Sequence, residues 1–294
     1  MFKGVYVPVI TPFLSDGTLD LSSLSKLCEN FIEQGVRGIV PLGTTGEASA
    51  LNTSERHDVV ATVAKMVSGT NVELIVGAGT NSTATTLERM DEFAEFSPKA
   101  YLIVTPYCIR PSEEGIIAHF MACADKGAQV NSDIMLYNIP ARTGRYVSTN
   151  ALLKCSEHER ISGVKQAVGS LDDETLTLIA NTNDSFSILA GDDYLACPIT
   201  LLGGKGAVSA SAHVATSSWV KMIEAAENND VDTALSIHNK LLPLVKAGFA
   251  EPNPSCFKGV LASMGTISSD YVRLPLMSAS KESVANFQTL VESI

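Results

Sequence analysis

Along this chain a short apolar run recurs about every 25 residues, and each run is followed by an amphipathic stretch of helical length. Strands that alternate with helices pair in parallel, because each crossover helix returns the chain to the same edge of the sheet. Strands are expected near Gly4–Ile10, Gly38–Leu42, Glu73–Gly77, Ala100–Thr105, Asp133–Tyr137, Ile161–Lys165, Ser187–Ala190 and Ala207–Ser209. Eight such units predict an α/β fold, a closed (β/α)8 TIM barrel. Asn52-Thr53-Ser54-Glu55 and Pro111-Ser112-Glu113-Glu114 place capping residues and acids where helices begin. After about residue 212 the pattern turns wholly helical, broken by Glu251-Pro252-Asn253-Pro254 and Arg273-Leu274-Pro275, which predicts a C-terminal helical extension. The expected division is a barrel over 1–224 and a helical domain over 225–294. A doubly wound open sheet is the structural rival, but its first strand leads into a glycine-rich turn. Here the first strand runs into Thr11-Pro12-Phe13.

Composition narrows the classes of function. Hydrophobic residues make up 45% and charged ones 18%, enough to bury a large core and opposed to disorder. A net charge of -11 with 21 Lys+Arg lacks the basic footprint of a nucleic-acid binder, so no nucleic-acid partner is expected. Met1-Phe2-Lys3-Gly4 enters a strand-like stretch without a charged-then-apolar leader, and no 18-residue apolar span follows. The expectation is a soluble cytoplasmic protein with no membrane partner. Cys28, Cys108, Cys123, Cys155, Cys197 and Cys256 form no C-x-x-C pair, as reduced thiols do. His57, His119, His158, His213 and His238 fall in predicted helices or before strands, so no metal cluster is expected at the barrel mouth.

Barrel enzymes work at the C-terminal ends of their strands, which reduces the candidates to a few positions. Among thirteen lysines only Lys165 ends a predicted strand. A lysine amine attacks a carbonyl when neutral, so this reading requires its pKa to fall from about 10.4 toward neutrality, which burial can supply. Gln166-Ala167-Val168 adds no carboxylate to hold the charge. A solvated or salt-bridged lysine is the alternative. Tyr137 ends the neighbouring strand, where a phenol can shuttle protons, or simply fill the core. Gly43-Thr44-Thr45-Gly46-Glu47 offers two hydroxyls and exposed backbone N–H groups to a carboxylate, or is a plain turn. Arg142, after strand five, is either a bidentate carboxylate clamp or an ordinary loop arginine. Asp192-Asp193 reads as a helix cap, and Gly203-Gly204-Lys205-Gly206 as a tight turn on the barrel's stability face.

Gly43-Thr44-Thr45-Gly46-Glu47, Tyr137-Asn138-Ile139-Pro140-Ala141-Arg142-Thr143-Gly144, Gly163-Val164-Lys165 and Gly191-Asp192-Asp193, in this order, resemble the dihydrodipicolinate synthase/N-acetylneuraminate lyase family. Val9-Ile10-Thr11-Pro12-Phe13 and the two C-terminal proline motifs extend the likeness almost end to end. The resemblance implies a class I aldolase, a lyase that uses pyruvate and a small aldehyde with no cofactor and no metal, assembled as a homotetramer, a dimer of dimers. It implies that Lys165 is the Schiff-base lysine, Tyr137 the proton-transferring tyrosine and Thr44 its hydroxyl partner. Thr45, Gly191 and Val208 are implied to bind substrate. Arg142 is implied to receive the carboxylate of L-aspartate 4-semialdehyde, as in the synthase branch of lysine biosynthesis.

The sequence departs from that branch at one position. Synthases usually carry two tyrosines where this chain has Tyr107-Cys108, the second reaching across the dimer interface into the proton relay. A related pyruvate-dependent aldolase or lyase acting on another aldehyde is the alternative, and a catalytically silent barrel a third. Lysine-sensitive members bind lysine through two histidines, a glutamate, an asparagine and a tyrosine. Asn81 and Tyr107 match that set, whereas Thr53, Arg56 and Thr85 replace the rest, so lysine inhibition is expected to be weak or absent.

Overall fold

The computed structural model describes residues 1–294. Its eight strands are Gly4–Val7 (β1), Gly38–Ile39 (β2), Glu73–Gly77 (β3), Ala100–Val104 (β4), Asp133–Asn138 (β5), Ile161–Gln166 (β6), Ser187–Ala190 (β7) and Gly206–Val208 (β8). They close into one parallel barrel in sequence order, β8 pairing back onto β1. The expected TIM barrel is therefore the fold. Three strands are shorter than the apolar runs that announced them, β4 by one residue and β1 and β2 by three each. β1 stops before Pro8 and β2 ends two residues before Pro41, because proline has no N–H for the ladder.

The helices are Leu21–Glu33 (α1), Thr53–Val67 (α2), Thr83–Glu92 (α3), Glu113–Gln129 (α4), Pro140–Thr143 (α5), Thr149–Ser156 (α6), Asp173–Asn181 (α7), Ala196–Leu201 (α8), Thr216–Glu227 (α9), Val231–Gly248 (α10), Ser255–Ser263 (α11) and Lys281–Glu292 (α12). In α1 the i, i+3, i+4, i+7 set Leu24, Leu27, Cys28 and Phe31 is buried, and the Asp20 carboxylate caps it by accepting from the Ser23 N–H at 2.9 Å. At α2 the Asn52 side chain and Glu55 form the reciprocal capping box that the sequence announced. Ser112 caps α4 through the Gly115 N–H.

The core has two shells. Twelve buried residues, among them Phe2, Tyr6, Val40, Leu102, Met135 and Leu189, fill the barrel interior, and a larger cluster joins strands to the helical ring. The interior is thus a packed core rather than a pore, closed at its N-terminal end by Phe2 and by Tyr6, whose hydroxyl donates to Glu73 at 2.7 Å. The opposite, C-terminal mouth opens into a cavity. After α9, helices α10 to α12 fold back beside that mouth. Phe257 of α11 joins them through edge-on contacts with Phe249 and Phe287. No helix is long and apolar enough to cross a membrane.

Candidate active site

A cavity of about 800 Å³ opens at the mouth, and Thr44, Thr45, Tyr137, Arg142, Lys165, Gly191 and Val208 all line it. Strand register brings the central pair together, since Tyr137 of β5 stands opposite Lys165 of β6. The Lys165 Nζ lies 4.4 Å from the centre of the Tyr137 ring. Gly191 permits the lysine to lie there. A Cβ at that position would fall 2.9 Å from both Cγ and Cε of Lys165 and 2.7 Å from the Ala167 Cβ, closer than carbon atoms approach.

Lys165 is 7% exposed, and burial pulls its ammonium down from the ordinary 10.5 to about 8. Asp193 and Asp192 oppose this by favouring the charged form, and Arg142 adds to it. These carboxylates correct two expectations. The residues after Lys165 supply no acid, but the loop after the neighbouring strand β7 supplies two. Nor do these aspartates cap the turn that they begin. Asp193 accepts the Ser211 N–H at 2.7 Å and Asp192 the Gly169 N–H at 2.8 Å, which ties the loops after β6, β7 and β8 together.

A pKa near 8 leaves about a tenth of the amine neutral at pH 7, against about one part in 3,000 for an ordinary lysine, a gain of about 300-fold in nucleophile. The sign follows directly, because deprotonation creates the reactive form. The rate constant for carbonyl addition at Lys165 is expected to rise with pH and level off above an inflection near 8, read from stopped-flow imine formation. An inflection above 10 would mean that burial does not act on this amine.

Burial pushes the Tyr137 phenol above its usual range, while Arg142 and the Thr44 hydroxyl pull the other way. The phenol stays protonated at neutral pH and is available as a donor or relay. Thr105 holds the base of this residue, its N–H and hydroxyl both donating to the Tyr137 carbonyl at 3.0 Å. Behind the pair, Asn138 donates to the Val147 carbonyl at 3.2 Å and to the Gln166 side chain at 3.1 Å, locking the ends of β5 and β6.

In the Gly43–Glu47 turn, the N–H groups of Gly46 and Glu47 are consumed by the Gly43 and Thr44 carbonyls, so they are not open to a ligand as the sequence had led us to expect. The N–H groups of Gly43, Thr44 and Thr45 donate to no protein acceptor. Thr45 is buried, and its hydroxyl oxygen accepts from Asn253 Nδ2 at 2.9 Å, leaving the O–H proton free to point at an anion. Asn253 also lines the cavity, although sequence reasoning did not select it. Arg142 is exposed on the short helix α5 and has no ion-pair partner in the chain.

Glu47 is held in left-handed geometry (φ 51°), and its buried carboxylate sits 2.5 Å from the Nζ of Lys258. Lys258 lies on helix α11 and is fully buried there, whereas helical lysines ordinarily face solvent. Its Nζ donates to the Tyr271 carbonyl and stands 4.1 Å from the Phe13 ring centre. The Arg273 N–H donates to Glu47, and its guanidinium pairs with Glu55. This cluster ties the C-terminal helices to the turn that carries Thr44 and Thr45. His213 lies in the short helical turn Ser211–His213 that follows β8 near the mouth. There its Nδ1 donates to the Ala210 carbonyl at 2.8 Å, and Nε2 accepts the Ile10 N–H at 3.0 Å.

Comparison with known proteins adds to this geometry. A family model described as "Dihydrodipicolinate synthetase family" matches residues 1–294. The 4-hydroxy-tetrahydrodipicolinate synthase of Thermodesulfovibrio yellowstonii is 37% identical over 281 residues, covering 96% of this chain and 94% of the relative. The synthase of the same name from Syntrophus aciditrophicus is 39% identical over 276 residues, covering 94% and 92%. Among solved structures, a dihydrodipicolinate synthase from Cyanidioschyzon merolae with lysine bound superposes with a TM-score of 0.94 at 31% identity, covering 99% of this chain and 98% of that one.

Proposed function

The chain belongs to the dihydrodipicolinate synthetase family, and from that premise we propose that it condenses pyruvate with L-aspartate 4-semialdehyde to 4-hydroxy-tetrahydrodipicolinate in lysine biosynthesis. The observation that carries this reading is the buried Lys165 amine beside the Tyr137 ring, facing a mouth whose threonine turn has free N–H groups.

The neutral Lys165 amine adds to the ketone carbon of pyruvate. Tyr137, with the Thr44 hydroxyl, passes protons to the departing oxygen, which leaves as water and gives an imine. The free N–H groups of the turn and the Thr45 hydroxyl hold the pyruvate carboxylate against Gly191 and Val208. Loss of a methyl proton gives the enamine, whose terminal carbon attacks the aldehyde carbon while the new alkoxide takes a proton. Arg142 receives the carboxylate of the aldehyde by a bidentate contact. The substrate's own amine then displaces Lys165 from the imine carbon and closes the ring. The two substrates thus leave as one product and one water, with the lysine regenerated.

Incubation with pyruvate and borohydride is expected to add a reduced three-carbon adduct at Lys165, read by peptide mass spectrometry, with no label on Lys165→Ala. Folded wild-type protein that stays unlabelled would remove this proposal and leave a silent barrel. Cys108 supports a second reading, an aldolase of the same chemistry that takes another aldehyde. Cys108 sits on an exposed segment with φ 69° and carries no phenol to extend the relay. Turnover with pyruvate across a panel of aldehydes decides between the two.

We further propose a homotetrameric, cytoplasmic enzyme whose barrel ends near residue 224. The exposed Tyr107–Ile109 tip supports a subunit contact, and six unpaired cysteines support a reducing compartment. Lysine is expected to inhibit weakly or not at all. In this chain Arg56 bonds to the Leu51 carbonyl and the Thr53 hydroxyl, which puts a fixed cation where an ammonium ligand needs an anion. Calorimetric binding of lysine in the micromolar range would overturn this.

A further inference from the structure

The Thr45 side chain is buried, and its hydroxyl has one hydrogen-bond partner in the chain, the Asn253 Nδ2 that donates to it at 2.9 Å. A hydroxyl carries one proton and two lone pairs. With the amide N–H on a lone pair, the proton is taken by no acceptor of the chain and is left for a ligand in the chamber that both residues line. The opposite amide orientation would set Oδ1 against the hydroxyl, which would then donate to Asn253 and spend its proton there. The observed orientation leaves the Asn253 Oδ1 buried without a partner. An unpaired buried acceptor is unfavourable for folding and marks a position whose orientation serves something else. The backbone of Asn253 is also held. The rings of Pro252 and Pro254 fix φ on either side of it, and the Pro252 carbonyl accepts the Ser255 N–H at 2.9 Å. Further along the same segment, Lys258 of α11 is locked to Glu47, two residues from Thr45. The threonine turn and the head of α11 are thus joined at two points.

We infer that Asn253 is a positioning residue for the keto acid, turning the Thr45 hydroxyl proton toward the substrate carboxylate without touching the reacting atoms itself. The inference rests on the proposed capture of pyruvate by Lys165 and adds to it a residue from the C-terminal part of the chain. Asn253 acts on the carboxylate and not on the ketone. It therefore sets selectivity for an α-keto acid over the neutral ester of the same skeleton.

The test uses the full chain and reads the pyruvate concentration that gives half-maximal borohydride labelling of Lys165. Asn253→Leu keeps the size of the side chain and removes the donor. It is expected to raise that concentration about ten-fold, the scale of one hydrogen bond to a charged group. Methyl pyruvate, whose ester has no charge, is expected to shift by less than about two-fold, a separation that a merely loosened mouth would not produce. In the Thr45→Val background Asn253→Leu is expected to add no further shift, because the hydroxyl it orients is gone. Asn253→Asp offers acceptors only, so Thr45 donates to it and pyruvate weakens at least as much as in Asn253→Leu. Circular dichroism and labelling at saturating pyruvate establish that each variant is folded. Equal shifts for pyruvate and its ester, or a full shift retained without the Thr45 hydroxyl, overturn the inference. Unchanged or tighter pyruvate binding in Asn253→Leu or Asn253→Asp also overturns it, since the Thr45 proton then never served the carboxylate. Wild-type protein that takes no label at any pyruvate concentration instead removes the proposed chemistry, and the positioning role with it.

Discussion

Lys165→Met is expected to lower kcat/KM on the order of 10⁶-fold, the scale set by removing a covalent nucleophile from a site that otherwise stays assembled. Methionine fills nearly the same volume, so the stem still packs against Gly191 and Ala167. The change also removes a buried cation whose desolvation opposes folding, and Asp193 keeps the Ser211 N–H as a partner. Stability is therefore expected to hold while chemistry is lost. Steady-state assays paired with thermal melts separate the two quantities. Activity within about 100-fold of wild type in a folded variant would show that the amine is not the nucleophile, since general acid-base groups alone are worth about 10²–10⁴-fold.

The second large effect falls on stability. Lys258→Met is expected to destabilise the fold by about 3–5 kcal/mol, the usual consequence of leaving one member of a buried ion pair without its partner. Lys258 and Glu47 are both essentially inaccessible, so the stranded carboxylate cannot reach water without opening the mouth. The Arg273 N–H continues to bond Glu47, which places the loss below that of a fully isolated charge. The double variant Lys258→Met with Glu47→Gln should recover most of the loss, because it removes both desolvation costs together. Chemical denaturation of the two singles and the double gives the coupling. A Lys258→Met variant within about 1 kcal/mol of wild type would show that the pair carries no net interaction.

The barrel was legible because its evidence is periodic and local. Eight apolar runs spaced by helices admit few closed arrangements, and Asn52 and Ser112 mark their helix starts through side chains three residues away. Lys165 and Tyr137 were legible for a related reason, since a strand end in this fold is a position in space as well as in sequence. Strand ends were overdrawn at Pro8–Ile10 and Val40–Leu42, where hydrophobicity continues but a proline interrupts the ladder. Asp192 and Asp193 were misassigned because a local rule, acids at a helix start, competed with partners in other loops. Asn253 was legible only as part of a proline motif that breaks the helices, with nothing to place it at the mouth, and Lys258 gave no signal. The Asn253–Thr45 contact spans 208 residues, and a helical lysine ordinarily points to solvent.

The ties between the threonine turn and the C-terminal helices bear on how the molecule is made. All eight strands have left the ribosome before Asn253, Lys258 and Arg273 are synthesised, so a nascent barrel carries Glu47 with neither cation at hand. Its carboxylate must stay hydrated until the last helices dock, which keeps the mouth loose through most of synthesis. Chains interrupted before Lys258 are then expected to be inert rather than partly active. If Lys165 is the nucleophile proposed above, it gains a settled threonine turn only after Lys258 and Arg273 have docked.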